Sequence, residues 1–111
     1  MLCDPRAYLW DIRDSIVFLG GRSLSEYSSD IMLRSAVERQ LLIIGEALGQ
    51  FTGRFPDLSQ RITSHAEVIA FRNFLVHGYS FVADAIVWSI IHSDLPVLQR
   101  EVAELLVELG G

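Results

Sequence analysis

Six apolar side chains, Leu33, Val37, Leu41, Ile44, Leu48 and Phe51, recur at intervals of three and four residues along one stretch of this chain. That period lays all six on one face of a helix and does not fit the alternation of a half-buried strand. A long helix starting near Ser29-Asp30 is therefore expected. Gly45 and Gly49 lie a turn apart on it, and each weakens a helix relative to alanine, so close approach of another helix is the expected return. The same period recurs on both sides of this stretch. Leu9, Ile12, Ile16 and Leu19 mark a first helix over residues 5–19, with Asp4 as its cap, Pro5 at its first position and Gly20-Gly21 as its stop. Ser64-His65-Ala66-Glu67 has capping-box spacing and opens a third helix through about residue 77, with Gly78 placed to end it. A fourth helical region runs from about Val82 to Leu109. Its stripe is Leu95, Leu98, Val102, Leu105 and Leu109, and Pro96 is expected to kink or break it. Residues 53–63, with Pro56, read as a connection. The pattern predicts an all-α chain folded as an antiparallel bundle of four to five helices.

At 111 residues there is room for one core, which gives a single helical domain over residues 1–111. Half of the residues are hydrophobic and 21% are charged, the balance of a globular chain. A mean hydropathy of +0.33 is high for a small domain and suggests apolar surface covered by a second copy or a partner. No apolar stretch reaches membrane-spanning length, and Asp4, Asp11 and Asp14 interrupt any leader-like pattern. Cys3 is the single cysteine, with no second thiol for a disulfide or a metal site, so a cytoplasmic protein is expected. The net charge is −5, and all nine basic residues are arginine. Nonspecific nucleic-acid affinity depends on phosphate neutralisation, so an acidic chain is not a general nucleic-acid coater. Any RNA contact must be local, at an arginine-lined groove.

Chemistry is concentrated in Arg72-Asn73-Phe74-Leu75-Val76-His77-Gly78-Tyr79. A permanent cation, an amide, an imidazole and a phenol are costly in an otherwise apolar helical stretch unless each has a partner or a task. Arginine presents a planar fork of donors suited to phosphate, and histidine exchanges protons near neutrality. Together they point to chemistry on a phosphate ester. Arg72 would bind the phosphate and stabilise charge developing on its oxygens. His77 would act as acid and base, since a helix C-terminus favours the imidazolium and a nearby arginine opposes it. Asn73 would orient His77 or the phosphate, and Tyr79 would present its hydroxyl at the mouth of the site. Five helical steps leave Arg72 and His77 roughly 140° apart around the axis, so they are not stacked on one face. The swing of the arginine, an unwound last turn, or a second protomer adding its own copies would bring them to one phosphate.

The same octet resembles the RxxxxHxY motif of HepT-like toxins, a family within the HEPN superfamily of helical ribonucleases. Asp4-Pro5-Arg6-Ala7-Tyr8-Leu9-Trp10-Asp11-Ile12 is similar to the start of that family. Ala36-Val37-Glu38-Arg39-Gln40 with Ile44-Gly45-Glu46-Ala47-Leu48 resembles its second helix, and Ile86-Val87-Trp88 with Leu95-Pro96-Val97-Leu98 its closing region. The resemblance implies a helical bundle that forms a homodimer, with the motifs of both protomers lining a shared cleft. It implies metal-independent endonucleolytic cleavage of RNA, without a cofactor, by attack of the 2′-hydroxyl on the adjacent phosphate, carried by Arg72 and His77. It also implies a toxin–antitoxin pair of the type VII-like HepT/MntA kind. The partner would be a minimal nucleotidyltransferase antitoxin that transfers AMP from ATP to the motif tyrosine, here Tyr79. The added phosphates would block the cleft by bulk and by repulsion of RNA.

Other residues divide between functional and ordinary roles. Glu46 is either the acid that positions Arg72 or a solvated helix carboxylate. Arg34 and Arg39 either line an RNA groove or pair at the surface with Asp30 and Glu38, the commoner situation. His65 and His92 read as structural, and Trp10, Phe71 and Trp88 as core. No His, Cys or carboxylate spacing resembles a metal site. The rivals to an enzyme are a non-catalytic helical partner that recruits or regulates a nucleotidyltransferase, and a structural dimer whose arginine and histidine only tie helices together.

Overall fold

A computed structural model of the chain describes residues 4–21, 23–63, 65–76 and 84–111, and the side chains among them other than those of residues 24, 65, 71, 73–76 and 84–86. Helix α1 spans Pro5–Leu19, with the Asp4 carboxylate accepting from the Arg6 N–H at 2.9 Å and proline in its first turn. Gly20 is extended and Gly21 has φ of 77°, which turns the chain away from the helix at a residue without a Cβ. The long apolar stripe becomes α3, Ile31–Arg54, capped by the Asp30 carboxylate on the N–H groups of Met32 and Leu33. Helix α5 is His65–Val76. Ser64 and Gly78, the expected ends of this helix, lie outside the described residues, as does Cys3.

Two short helices depart from the expectation. Residues Leu24–Ser29 form α2, opened by a reciprocal capping box between Ser23 and Glu26. Pro56–Ser59 form α4 inside the stretch read as a connection. The last region is continuous but changes pitch. It consists of α6, Asp84–Ser89, a π-helical turn at Ile90–Asp94, and α7, Leu95–Glu108, with Pro96 in its first turn. A proline ring clashes with the carbonyl four residues back in a regular helix. The wider turn, in which the Leu95 N–H donates to the Ile90 carbonyl, accommodates Pro96 without ending the rod. The expected break is therefore a π turn placed before the proline. No strand occurs among the described residues, and the chain is an all-helical bundle.

The core is where the stripes meet. Leu9, Ile12, Ile16 and Leu19 of α1, Val37, Leu41, Ile44, Leu48 and Phe51 of α3, and Leu95, Leu98, Val102 and Leu105 of α7 are all buried. Leu33 and Leu109, at the ends of their stripes, are half-buried. Helix α3 packs against both α1 and α5, and α1 also packs against α7. Large-to-small changes at such positions cost about 2–5 kcal/mol each, so these three stripes dominate stability. Tyr27 of α2 is a further fully buried side chain, tilted against Trp88 with ring centroids 5.2 Å apart, and its hydroxyl donates to Glu38 at 3.2 Å. Trp10 and Trp88 are half-buried against this core, as expected, and the Trp10 indole N–H donates to the Gly111 carbonyl at 3.1 Å. No described helix is long and apolar enough to cross a membrane. Val17, Ile31, Met32 and Val107 leave apolar surface exposed.

Charged groups tie the α4–α5 connection to α7. The Thr63 N–H donates to Glu101 at 3.1 Å, and Arg61 meets Glu108 in a forked pair with Nη1 to Oε1 at 2.8 Å. Hydrogen bonding to Arg61 holds the Glu108 carboxyl below its ordinary value, while the guanidinium is raised in turn. A carboxylate depressed by folding stabilises the fold above its unfolded pKa, and that contribution fades as the pH falls through the lower folded value. The urea-midpoint difference between wild type and Glu108→Gln should accordingly be constant above pH 4.5, the ordinary value, and should shrink below it.

Candidate functional site

The close approach of α3 and α5 is made at one residue. A Cβ on Gly45 would lie 2.2 Å from Cβ and 2.6 Å from Cγ of Arg72, so the arginine stem occupies the space a side chain would fill. The next residue on α3 receives the head, since the Arg72 Nη2 donates to Oε2 of Glu46. Glu46 also accepts from the Gln50 amide one turn on, at 3.1 Å. The Arg72 side chain remains 30% exposed and that of Glu46 50%. A pair so open to solvent contributes on the order of 0–1 kcal/mol to stability. Its consequence is orientation: stem and head are fixed by adjacent residues of one helix.

Arg72 so held lines a cleft of about 400 Å³ beside α1 and α3. Leu42, Ile43 and Ala47 give it apolar lining, and Glu46 and Gln50 stand beside Arg72. Tyr8 and Asp11, one turn apart on α1, form the opposite wall, and Arg39 lines the same cleft from α3. A smaller hollow of about 170 Å³, lined by Gly45, Gly49, Ile69 and Arg72 among others, lies on the far side of the Arg72–Glu46 contact. A groove with a fixed guanidinium, a second arginine and an aromatic wall suits a phosphate ester carrying a base.

The candidates identified from the sequence fall into three groups. Arg72 and Glu46 are brought together. Asn73 follows Arg72 on α5, with its side chain among those not described. His77 and Tyr79 lie outside the described residues. Gly49 does not have the packing role expected of it, because a Cβ there would meet nothing within 4 Å. Arg39 does not pair with Glu38, whose carboxylate accepts from the Tyr27 hydroxyl. Arg34 stands over the Tyr27 ring at 4.7 Å from its centroid and does not line the cleft. His92 keeps to the structural reading, with Nδ1 3.1 Å from the Trp88 carbonyl and its ring 5.5 Å from that indole. Among the described residues no group of three His, Cys, Asp or Glu is arranged to hold a metal ion. Tyr8 and Asp11 were not expected at the site; their spacing of three on the first helix was the available signal.

A family model described as "Ribonuclease HepT-like" matches residues 8–105, a span that includes every cleft residue together with His77 and Tyr79. "Putative RNase MJ1380" of Methanocaldococcus jannaschii is 33% identical over 107 residues, covering 89% of this chain and 94% of the relative. "Putative RNase TTE0752" of Caldanaerobacter subterraneus is 32% identical over 106 residues, covering 92% and 94%. "Putative RNase MJ0127" of Methanocaldococcus jannaschii is 28% identical over 116 residues, covering 97% and 92%. No solved structure gives a significant match.

The two glycines of α3 should respond in opposite directions to alanine. Gly49→Ala gains helix propensity in open space and should raise stability by up to about 1 kcal/mol. Gly45→Ala gains the same propensity but must displace the Arg72 stem at its root, and should lower stability by about 1–3 kcal/mol. Paired urea titrations read both signs.

Proposed function

The chain belongs to the HepT-like ribonuclease family, and from that premise we propose that it cleaves RNA in the cleft of Arg72, with Arg72 and His77 as the catalytic pair. The observation that carries this reading is the seating of Arg72 on Gly45 with its head on Glu46, facing a cleft large enough for a nucleotide. In the reaction, His77 takes the proton of a ribose 2′-hydroxyl and the freed oxygen attacks the adjacent phosphorus. Negative charge builds on the non-bridging oxygens, where the Arg72 guanidinium stabilises it. The bond from phosphorus to the 5′-oxygen breaks, and protonated His77 returns a proton to that leaving oxygen. The products are a 2′,3′-cyclic phosphate and a 5′-hydroxyl. Nothing in this sequence of steps requires a metal, because the nucleophile belongs to the substrate and both proton transfers can be made by one imidazole. Glu46 positions Arg72, and Asn73 orients His77 or the phosphate. A homodimer would set two such motifs along one groove.

The biological setting we propose is a toxin–antitoxin pair, in which a minimal nucleotidyltransferase transfers AMP to Tyr79 and closes the cleft to RNA. One residue, Gly78, separates Tyr79 from His77. Phosphates placed there would compete for the cation the substrate needs.

Purified unmodified protein should cleave RNA in EDTA. Arg72→Ala and His77→Ala should each lose about 10²–10⁴-fold in rate, and Glu46→Gln about 10- to 100-fold through misplacement of the arginine, with melting temperature little changed. Undiminished cleavage by either alanine variant would sink the assignment, and intact protein that leaves RNA uncut would favour a non-catalytic partner of a nucleotidyltransferase. Separately, coexpression with a neighbouring nucleotidyltransferase should add adenylate mass to the wild type and none to Tyr79→Phe. An unmodified mass for the wild type would count against the regulatory step.

A further inference from the structure

We propose that Arg39 is a second phosphate contact, holding RNA beyond the scissile position, and that Asp11 across the cleft tempers its pull. The proposal rests on the ribonuclease reading of the same cleft. The chain carries fourteen carboxylates against nine arginines, and Arg6, Arg13, Arg61 and Arg72 are each matched to one of them. Arg39 is exposed in the cleft and makes no hydrogen bond or ion pair with any described residue. Its neighbour in sequence, Glu38, is turned to the Tyr27 hydroxyl instead. A cation left unmatched in an acidic protein, inside the groove that holds Arg72, is placed for an anion from outside.

Its spacing fits a strand. Arg39 and Glu46 are seven residues apart on α3, two full turns, so they share a face about 10 Å apart along the axis. The Arg72 head sits on Glu46, which sets two guanidinium groups along one groove at a separation that single-stranded RNA spans in a few nucleotides. Tyr8 lines the same groove toward its Phe55 end, with ring centroids 6.4 Å apart, and offers an aromatic face to a base on the Arg72 side. Asp11, one turn along α1 from Tyr8, lines the same space and is exposed. Its carboxylate opposes a phosphate at Arg39, so the groove holds RNA less tightly than two arginines alone would.

The test is binding of a fluorescent single-stranded RNA, made uncleavable by 2′-O-methylation, across a salt series, with cleavage of the unmodified strand measured in parallel. Arg39→Ala should weaken binding about 5- to 10-fold for any sequence, and should flatten the plot of log K against log salt by about 0.7, the loss of one phosphate contact to a single strand. Arg39→Lys should restore most of the affinity. Arg100→Ala makes the same charge change at an exposed site on α7, away from the cleft, and should stay within about twofold of wild type. Asp11→Asn should tighten binding about 2- to 5-fold. In cleavage, the Arg39→Ala loss should fall on KM, whereas the Arg72→Ala loss falls on kcat. Equal weakening by Arg39→Ala and Arg100→Ala, or an Arg39→Ala protein that binds like wild type, would overturn the subsite. Weaker binding by Asp11→Asn would overturn the part given to Asp11, and failure of the wild type to bind the strand at any salt would overturn the whole. Binding that depends on Arg39 without cleavage would instead refute the catalytic assignment and leave the subsite standing. Cleavage with no dependence on Arg39 would do the reverse.

Discussion

The seat of Arg72 on Gly45 is the constraint around which the site is organised. A guanidinium on a long stem is a poor electrostatic tool unless its position is determined, because the side chain has many rotamers and each hydrogen bond must offset their loss. Here the stem fills the place of a missing Cβ, and the following residue, Glu46, meets the head. Neither contact is a large source of stability. Glycine inside a long helix is a cost of about 1 kcal/mol against alanine, and a pair this exposed recovers little. Intrinsic helix propensity is therefore given up at a position where a cleft-facing cation gains a defined direction. That is the pattern expected where a local rule is broken for function.

The scaffold supports this by making α3 the common wall. Its buried stripe packs on α1 and α5, while its next face around carries Arg39, Leu42, Ile43, Glu46 and Gln50 into the cleft. One rigid helix thus fixes the spacing of Arg39, Glu46 and the seat of Arg72 along the groove, and α1 supplies the opposite wall with Tyr8 and Asp11. The proline in the last rod is accommodated by a wide turn, so α7 continues as one piece and keeps Leu95, Leu98, Val102 and Leu105 against the core. Core stability and site geometry are set by different faces of the same helices.

How far the sequence revealed this follows from which interactions are local. Periodicity along one chain segment located α1, α3 and the stripe of α7, the Asp4 cap is where its carboxylate predicted, and α3 starts at the expected Ser29-Asp30 boundary with Asp30 as its cap. The short α2 is not legible although Ser23 and Glu26 form a capping box of the same spacing as Ser64 and Glu67, because no apolar run follows to mark a helix behind it. Tyr27 is not legible either, since its burial depends on Trp88, sixty-one residues away in the chain. Gly45 and Gly49 are indistinguishable by spacing, and only the position of α5 separates a packed glycine from an open one. The pairing of Glu46 with Arg72 was open between two readings because a helical carboxylate looks the same whether solvated or engaged. Arg39 shows the converse, because its neighbour Glu38 offered a plausible partner that tertiary structure assigned to a tyrosine instead.

The acidity of the chain and its membership of a ribonuclease family are compatible for a reason visible in how the charges are distributed. A net charge of −5 would repel a polyanion if the positive charges were spread and free. Outside the cleft, Arg6, Arg13 and Arg61 are each spent on a neighbouring carboxylate. Within it, Arg39 has no carboxylate partner among the described residues, and the Glu46 carboxylate that meets Arg72 is shared with Gln50. Two arginines are thus gathered in one groove, while Arg6, Arg13 and Arg61 elsewhere are already engaged by carboxylates. The two arginines that line the groove among the described residues neutralise few phosphates, so affinity should be modest and steeply local. On the proposed ribonuclease reading, the substrate is found by the fit of a short single strand to one groove, and removal of either arginine is felt more than loss of Arg100 on α7.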